Sequence, residues 1–250
     1  DMHTIKGEPM DNRGLFEGLN IMQAGESYLS HMGAYPVITL TLKAGRQSTF
    51  ASAYRQITMQ IGMEFERHSY VLDSDLPDEM KERYKSILSG HADMDIFKGS
   101  LQFLSHCLSY YYGKRAVLLI DEYDVPLENA FLCGFYDEMI DFIRALFENV
   151  LKTNAGLEFA VISGCLRISK ESIFTGLNNL EVISILNDSY HEYFGFTDCE
   201  VRKLCDDFAL SEKYETVKAW YNGYLFGNTN VYNPWSVVRY IKDLQANENC

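Results

Sequence analysis

Apolar residues recur along this chain in two rhythms. In the stretch 96–112, Phe97, Leu101, Leu104, Leu108 and Tyr111 are spaced by four, three, four and three residues. They therefore share one stripe of a helix, which Gly113 ends. From Phe135 to Lys152 a second stripe, Tyr136, Met139, Ile140, Ile143, Leu146, Phe147 and Val150, predicts another helix. Further helices are predicted over 47–70, with Ser48 as N-cap, and over 76–90, with Pro77 in the first turn and Gly90 as the stop. The other rhythm is short and unbroken. "YPVITLTLK" (35–43), "RAVLLID" (115–121) and "LEFAVISG" (157–164) read as strands, and "EVISIL" (181–186) as one more.

Strands separated by helices of about 15 residues predict crossover units and a mainly parallel sheet. "AVLLI" lacks polar alternation, as expected for a central strand covered on both faces. Residues 1–35 read as irregular with one short helix. After Phe194 the texture changes, and "TDCEVRKLCDDFAL", "YETVKAWYNGY" and "NPWSVVRYIKDL" all read as helical. In the last of these, Asn233 is suited to the N-cap and Pro234 to the first helical position. The predicted division is an α/β core over 1–194 and a small helical lid over 195–250.

Composition narrows the function classes. At 47% hydrophobic and 14% aromatic, 250 residues can build a full core, which excludes disorder. A net charge of −13, from 35 acidic and 22 basic residues, excludes a chain-wide basic footprint for nucleic acid or an anionic membrane. A local basic patch stays open. No apolar stretch reaches the ~20 residues that span a bilayer, and the polar N-terminus lacks the apolar centre of a signal peptide. No two of the six cysteines stand in a Cys-x-x-Cys spacing, which points to a reducing, cytoplasmic setting. The chain begins with Asp and ends on Cys250 without a stop signal, so both ends are expected to be cut from something longer.

The chemistry concentrates where "AVLLIDEYDVP" passes from apolar strand to Asp121, Glu122 and Asp124. In a parallel sheet, ligands bind beyond the carboxyl ends of the strands. An apolar strand ending in Asp-Glu matches the Walker B arrangement. There the Asp holds Mg²⁺, directly or through water, and the Glu orients or deprotonates the attacking water. Asp124, three residues on, could support the same site. A plain turn out of the core is the competing reading. "FAVISGCLRI" adds Ser163 at a second strand tip and Arg167 just past it. Ser163 could face a γ-phosphate, and Arg167 could neutralise charge developing on the phosphoryl group. The alternatives are a Ser163-Gly164 turn and an Arg167 paired with a surface acid.

Four segments in order, "LLIDEYDVPLENA", "AVISGCLRISKESIFTGLNNL", "YFGFTDCEV" and "WYNGYLFGNTNVYNPWSVVRYI", resemble the bacterial AAA-ATPase-like family, over roughly Leu15 to Ile241. That resemblance implies a three-layer P-loop NTPase fold of the ASCE type with a C-terminal helical lid, and ATP with Mg²⁺ as cofactors. It assigns Asp121 and Glu122 to the Walker B and Ser163 to the end of the neighbouring strand. It also implies a nuclease-like domain of the PD-(D/E)XK type in the parent chain. The aromatic segment from Trp220 to Trp235 marks the lid, where aromatics are expected to fill the seam against the sheet.

The chain departs from the family in one respect: no Gly-x4-Gly-Lys-Ser/Thr segment occurs, and Gly113-Lys114 leads into a strand rather than a helix. A sheet without the P-loop strand would expose a long apolar edge, filled by a strand from elsewhere or by self-association. Two functions follow: a Mg-ATP-hydrolysing or -sensing domain that regulates a nuclease-like domain, or a nucleotide-independent interaction scaffold.

Overall fold

The computed structural model describes residues 11–166, 173–174, 177 and 180–248. The chain divides into two compact units, Asp1–Asn178 and Asn179–Cys250.

In the first unit a single-turn helix α1 (Glu26–Leu29) precedes strand β1 (Val37–Thr41). Helices α2 (Phe50–Arg67), α3 (Asp78–Leu88), α4 (Met94–Lys98) and α5 (Ser100–Tyr112) lead to β2 (Ala116–Asp121). Helices α6 (Val125–Cys133) and α7 (Tyr136–Leu151) lead to β3 (Leu157–Ile162). The strands pair in parallel in the order β1-β2-β3, with Thr41 opposite Asp121 and Ile120 opposite Ile162. This mixed α/β arrangement is compatible with a P-loop-like fold.

Local signals shift by a residue or two from the expected places. The cap of α2 is Thr49 rather than Ser48; its hydroxyl accepts the Ser52 N–H at 3.3 Å. Pro77 lies just outside α3 with extended ψ. The helix predicted over 96–112 is two helices, broken at Gly99. The apolar stripe survives the break: Phe97, Leu101, Leu104 and Leu108 are buried, while Tyr111 is exposed.

Strand alternation sorts the sheet into two unlike faces. Ile38, Leu40, Leu118 and Ile120 are buried on a sheet packed by α2, α5 and α7. The opposite face carries Thr39, Thr41, Leu119, Asp121, Phe159 and Val161, all of them exposed. Phe159 is 62% exposed. The expected cover on both faces of "AVLLI", and with it the third layer, is therefore not built by the described residues. The cause is topological. Right-handed crossovers between strands laid down in sequence order put every connecting helix on the same side. An apolar run records only that both faces could be buried.

The free edge of β1 is closed by side chains. Thr39 donates its N–H to Glu64 Oε1 at 2.7 Å, and the Val37 carbonyl accepts from Arg67 and lies 3.1 Å from His68 Nε2. Helix α2 and its capping residue His68 thus supply the hydrogen bonds a fourth strand would make. Among the described residues no strand pairs with the outer edge of β3.

The second unit corrects the expectation of an all-helical segment. Strands β4 (Phe196–Thr197), β5 (Asn222–Phe226) and β6 (Thr229–Tyr232) form an antiparallel sheet in the order β4-β6-β5, beside helices α8 (Asp198–Asp207), α9 (Tyr214–Tyr221) and α10 (Pro234–Glu248). "YETVKAWYNGY" changes state at Asn222, because Gly227, at φ 53°, turns the following residues into a hairpin. Asn233 caps α10, accepting the Ser236 N–H at 3.1 Å.

"EVISIL" forms no strand; Leu186 is 81% exposed. The core holds Val201, Cys205, Leu210, Tyr214, Val217, Tyr232, Val237 and Ile241. Among the marked aromatics Tyr232 is buried in this unit's core, whereas Trp220, Tyr224 and Trp235 are exposed.

Candidate functional site

The middle strand delivers Asp121 to the carboxyl rim of the first unit's sheet, next to Thr41 on β1. The chain then turns sharply. Glu122 has φ 56°, a left-handed backbone that costs a non-glycine residue about 1 kcal/mol or more. The turn is held from inside: Asp121 Oδ1 accepts the Glu122 N–H at 2.9 Å. Asp124 closes the turn, and its carbonyl accepts the N–H groups of Leu127 and Glu128 at the start of α6. Pro126 stands in the first turn of that helix, where its missing N–H leaves no bond unmade.

The tip of β3 is fastened to this turn at several points. Ser163 donates its N–H to the Ile120 carbonyl at 2.8 Å, and its own carbonyl accepts from the Tyr123 N–H at 3.2 Å. The Ser163 hydroxyl donates to Asp121 Oδ1 at 2.6 Å. Leu166 donates its N–H to Asp124 Oδ2 at 2.7 Å, and the Tyr123 hydroxyl donates to the Leu166 carbonyl at 3.0 Å. Asp124 is only 2% exposed, and its Oδ1 has no hydrogen-bond partner among the described residues. Gly164 is required here, since a Cβ would stand 2.6 Å from that oxygen. Asp124 thus works as a buried tie between the two strand tips.

Asp121 and Ser163 also line an open trough of about 740 Å³ on the uncovered sheet face. Its floor is Thr39, Thr41, Leu119 and Val161, and its wall is α2, with Met63, Glu64 and Arg67. Burial pushes the Glu64 carboxyl up, but the hydrogen bonds and charges of Arg67 and His68 outweigh it and hold the group below its ordinary range. Arg67 lies 2.6 Å from Glu64 Oε1.

Of the residues the sequence singled out, the structure joins Asp121 and Ser163 directly and sets Glu122 and Asp124 in the adjoining turn. Glu122 does not line the trough. Arg167 lies outside the described residues. Sequence reasoning passed over Thr41, Glu64 and Arg67. The available signals were a threonine in step with Thr39 away from Ile38 and Leu40, and an acid on the apolar stripe Ile57, Ile61, Phe65 of α2.

The donor set is oxygen-rich. Asp121 Oδ2 accepts no hydrogen bond among the described residues, and the hydroxyls of Thr41 and Ser163 stand on the neighbouring strands. Among the described residues no group of three or more His, Cys, Asp or Glu side chains could hold a metal ion. One carboxylate with hydroxyls nearby fits magnesium, which keeps several waters and completes its shell from a ligand's phosphates.

A family model described as "predicted AAA-ATPase" matches residues 5–174. The "uncharacterized protein in vnfD 5'region" of Azotobacter chroococcum mcd 1 is 35% identical over 127 residues. That match takes in 50% of this chain and 24% of the relative, so the matched part of the chain spans about a quarter of the relative's length. No solved structure matches the chain.

Proposed function

The chain belongs to the AAA-ATPase-like family, and on that premise we propose that it is the Mg-ATP-binding part of an ATPase or ATP-driven switch. The observation that carries this reading is Asp121. It is a carboxylate at the carboxyl rim of the middle strand, with one oxygen occupied by its own chain and the other unbonded among the described residues. Magnesium bound there would draw charge from the triphosphate oxygens. Asp121 would hold the cation. Glu122, one residue further on, would orient the attacking water and take its proton. Lys43 and Arg46, exposed on the turn after β1, add positive charge at the same end of the sheet. The phosphate cradle would come from outside these 250 residues, since none of them reads as a P-loop. In the whole protein the ATP-bound state would govern an attached nuclease-like domain.

The test uses the whole protein. Mg-ATP binding measured by calorimetry should be lost in Asp121→Ala, whereas Glu122→Gln should keep binding and lose hydrolysis. Normal binding by Asp121→Ala would overturn the reading. It would favour instead a nucleotide-independent scaffold, for which the exposed apolar face of Leu119, Phe159 and Val161 offers a docking surface.

A further inference from the structure

We propose that Ser163 is a positioning residue, whose hydroxyl holds Oδ1 of Asp121 so that Oδ2 alone is presented to the cation; this rests on the Mg-ATP reading above. The sequence allows Ser163 either to face a γ-phosphate or to form a turn with Gly164. The geometry turns its hydroxyl inward. Ser163 Oγ stands 2.6 Å from Asp121 Oδ1 and 3.4 Å from the Ile120 carbonyl, so the stronger bond goes to the carboxylate.

A carboxylate on an exposed strand end can rotate about its side-chain bonds. Two donors remove that freedom: the Glu122 N–H from the same turn, at 2.9 Å, and the Ser163 hydroxyl from the tip of the neighbouring strand. Both converge on one oxygen. The arrangement orients a metal ligand through its second oxygen, and removal of such partners typically costs 10–100-fold in metal affinity.

The backbone of Ser163 is held separately. Its N–H and carbonyl bond Ile120 and Tyr123 at 2.8 and 3.2 Å, so deleting the hydroxyl leaves the strand tip in place. That separation makes the role testable without unfolding the site. A residue facing phosphate would alter hydrolysis and leave metal affinity alone. A residue that orients Asp121 must alter metal affinity first.

The experiment measures Mn²⁺ affinity in the presence of ATP by electron paramagnetic resonance, with the whole protein and its Asp121→Ala, Ser163→Ala and Ser163→Thr variants. The expected result is loss in Asp121→Ala, a weakening of about 10-fold or more in Ser163→Ala, and recovery in Ser163→Thr. The urea midpoint of Ser163→Ala should match that of the unaltered protein. Mn²⁺ affinity retained in Ser163→Ala but lost in Asp121→Ala would overturn the positioning role alone. So would a loss that Ser163→Thr does not restore. Absence of any Asp121-dependent Mn²⁺ binding in the unaltered protein would overturn the Mg-ATP reading, and this inference with it.

Discussion

At the scale of single residues, the acids at the end of β2 were legible because a buried strand cannot end in two charges without turning into solvent. Which acid does what was not legible. That depends on Glu122 adopting a left-handed backbone and on Ser163 arriving from a strand more than 40 positions away. The Glu122 geometry can be checked through stability. Glycine occupies φ > 0 freely, but loses more entropy on folding than a residue with a side chain. Relief of about 1–2 kcal/mol of left-handed cost outweighs an entropic loss of about 0.5–1 kcal/mol. Glu122→Gly should therefore raise stability by about 0.5–1 kcal/mol, read as a higher urea midpoint with an unchanged slope. A fall of similar size would mean that the backbone at 122 is not strained.

At the scale of elements, helix and strand positions were readable from periodicity, because α5, α7, β2 and β3 each carry a clean rhythm. The closure of β1 was not readable. Glu64 looks like an interruption in the α2 stripe, yet it replaces a missing strand by accepting the Thr39 N–H. Its carboxylate is 7% exposed and paired with Arg67 at 2.6 Å, so losing the charge should cost about 2 kcal/mol. The sign of the pH dependence follows from the lowered folded-state pKa. Ionised Glu64 contributes in full above the unfolded value near 4.5, and its contribution is lost as pH falls through the lower folded value. Denaturation midpoints compared between pH 6 and pH 3 should show the unaltered protein losing more stability than Glu64→Gln. Parallel loss in the two proteins would show that Glu64 is not held ionised by its partners.

At the scale of the whole molecule, the sequence placed a boundary after residue 194, whereas the two units part after Asn178, and it read as helical a stretch that also holds an antiparallel sheet. The hairpin of β5 and β6 hides in a segment whose tyrosines and tryptophans also suit a helix. Only the glycine turn at Gly227 distinguishes the two. Charge is the one property read correctly without any folding, because it sums over the chain: −13, with a pI near 4.9. This bears on the nuclease-like partner proposed for the whole protein. Duplex DNA is held largely by cations that displace condensed counterions, so a chain with this excess of acids repels it over a Debye length of about 14 Å at 50 mM salt. If DNA contact belongs to the nuclease-like domain, the 250-residue chain should leave a 30-base-pair duplex unretarded in a gel at 50 mM salt, with or without Mg-ATP. Retardation that weakens steeply from 50 to 200 mM salt would reveal a local basic surface. DNA contact would then belong to this chain, and regulation would act through shared DNA rather than through ATP alone.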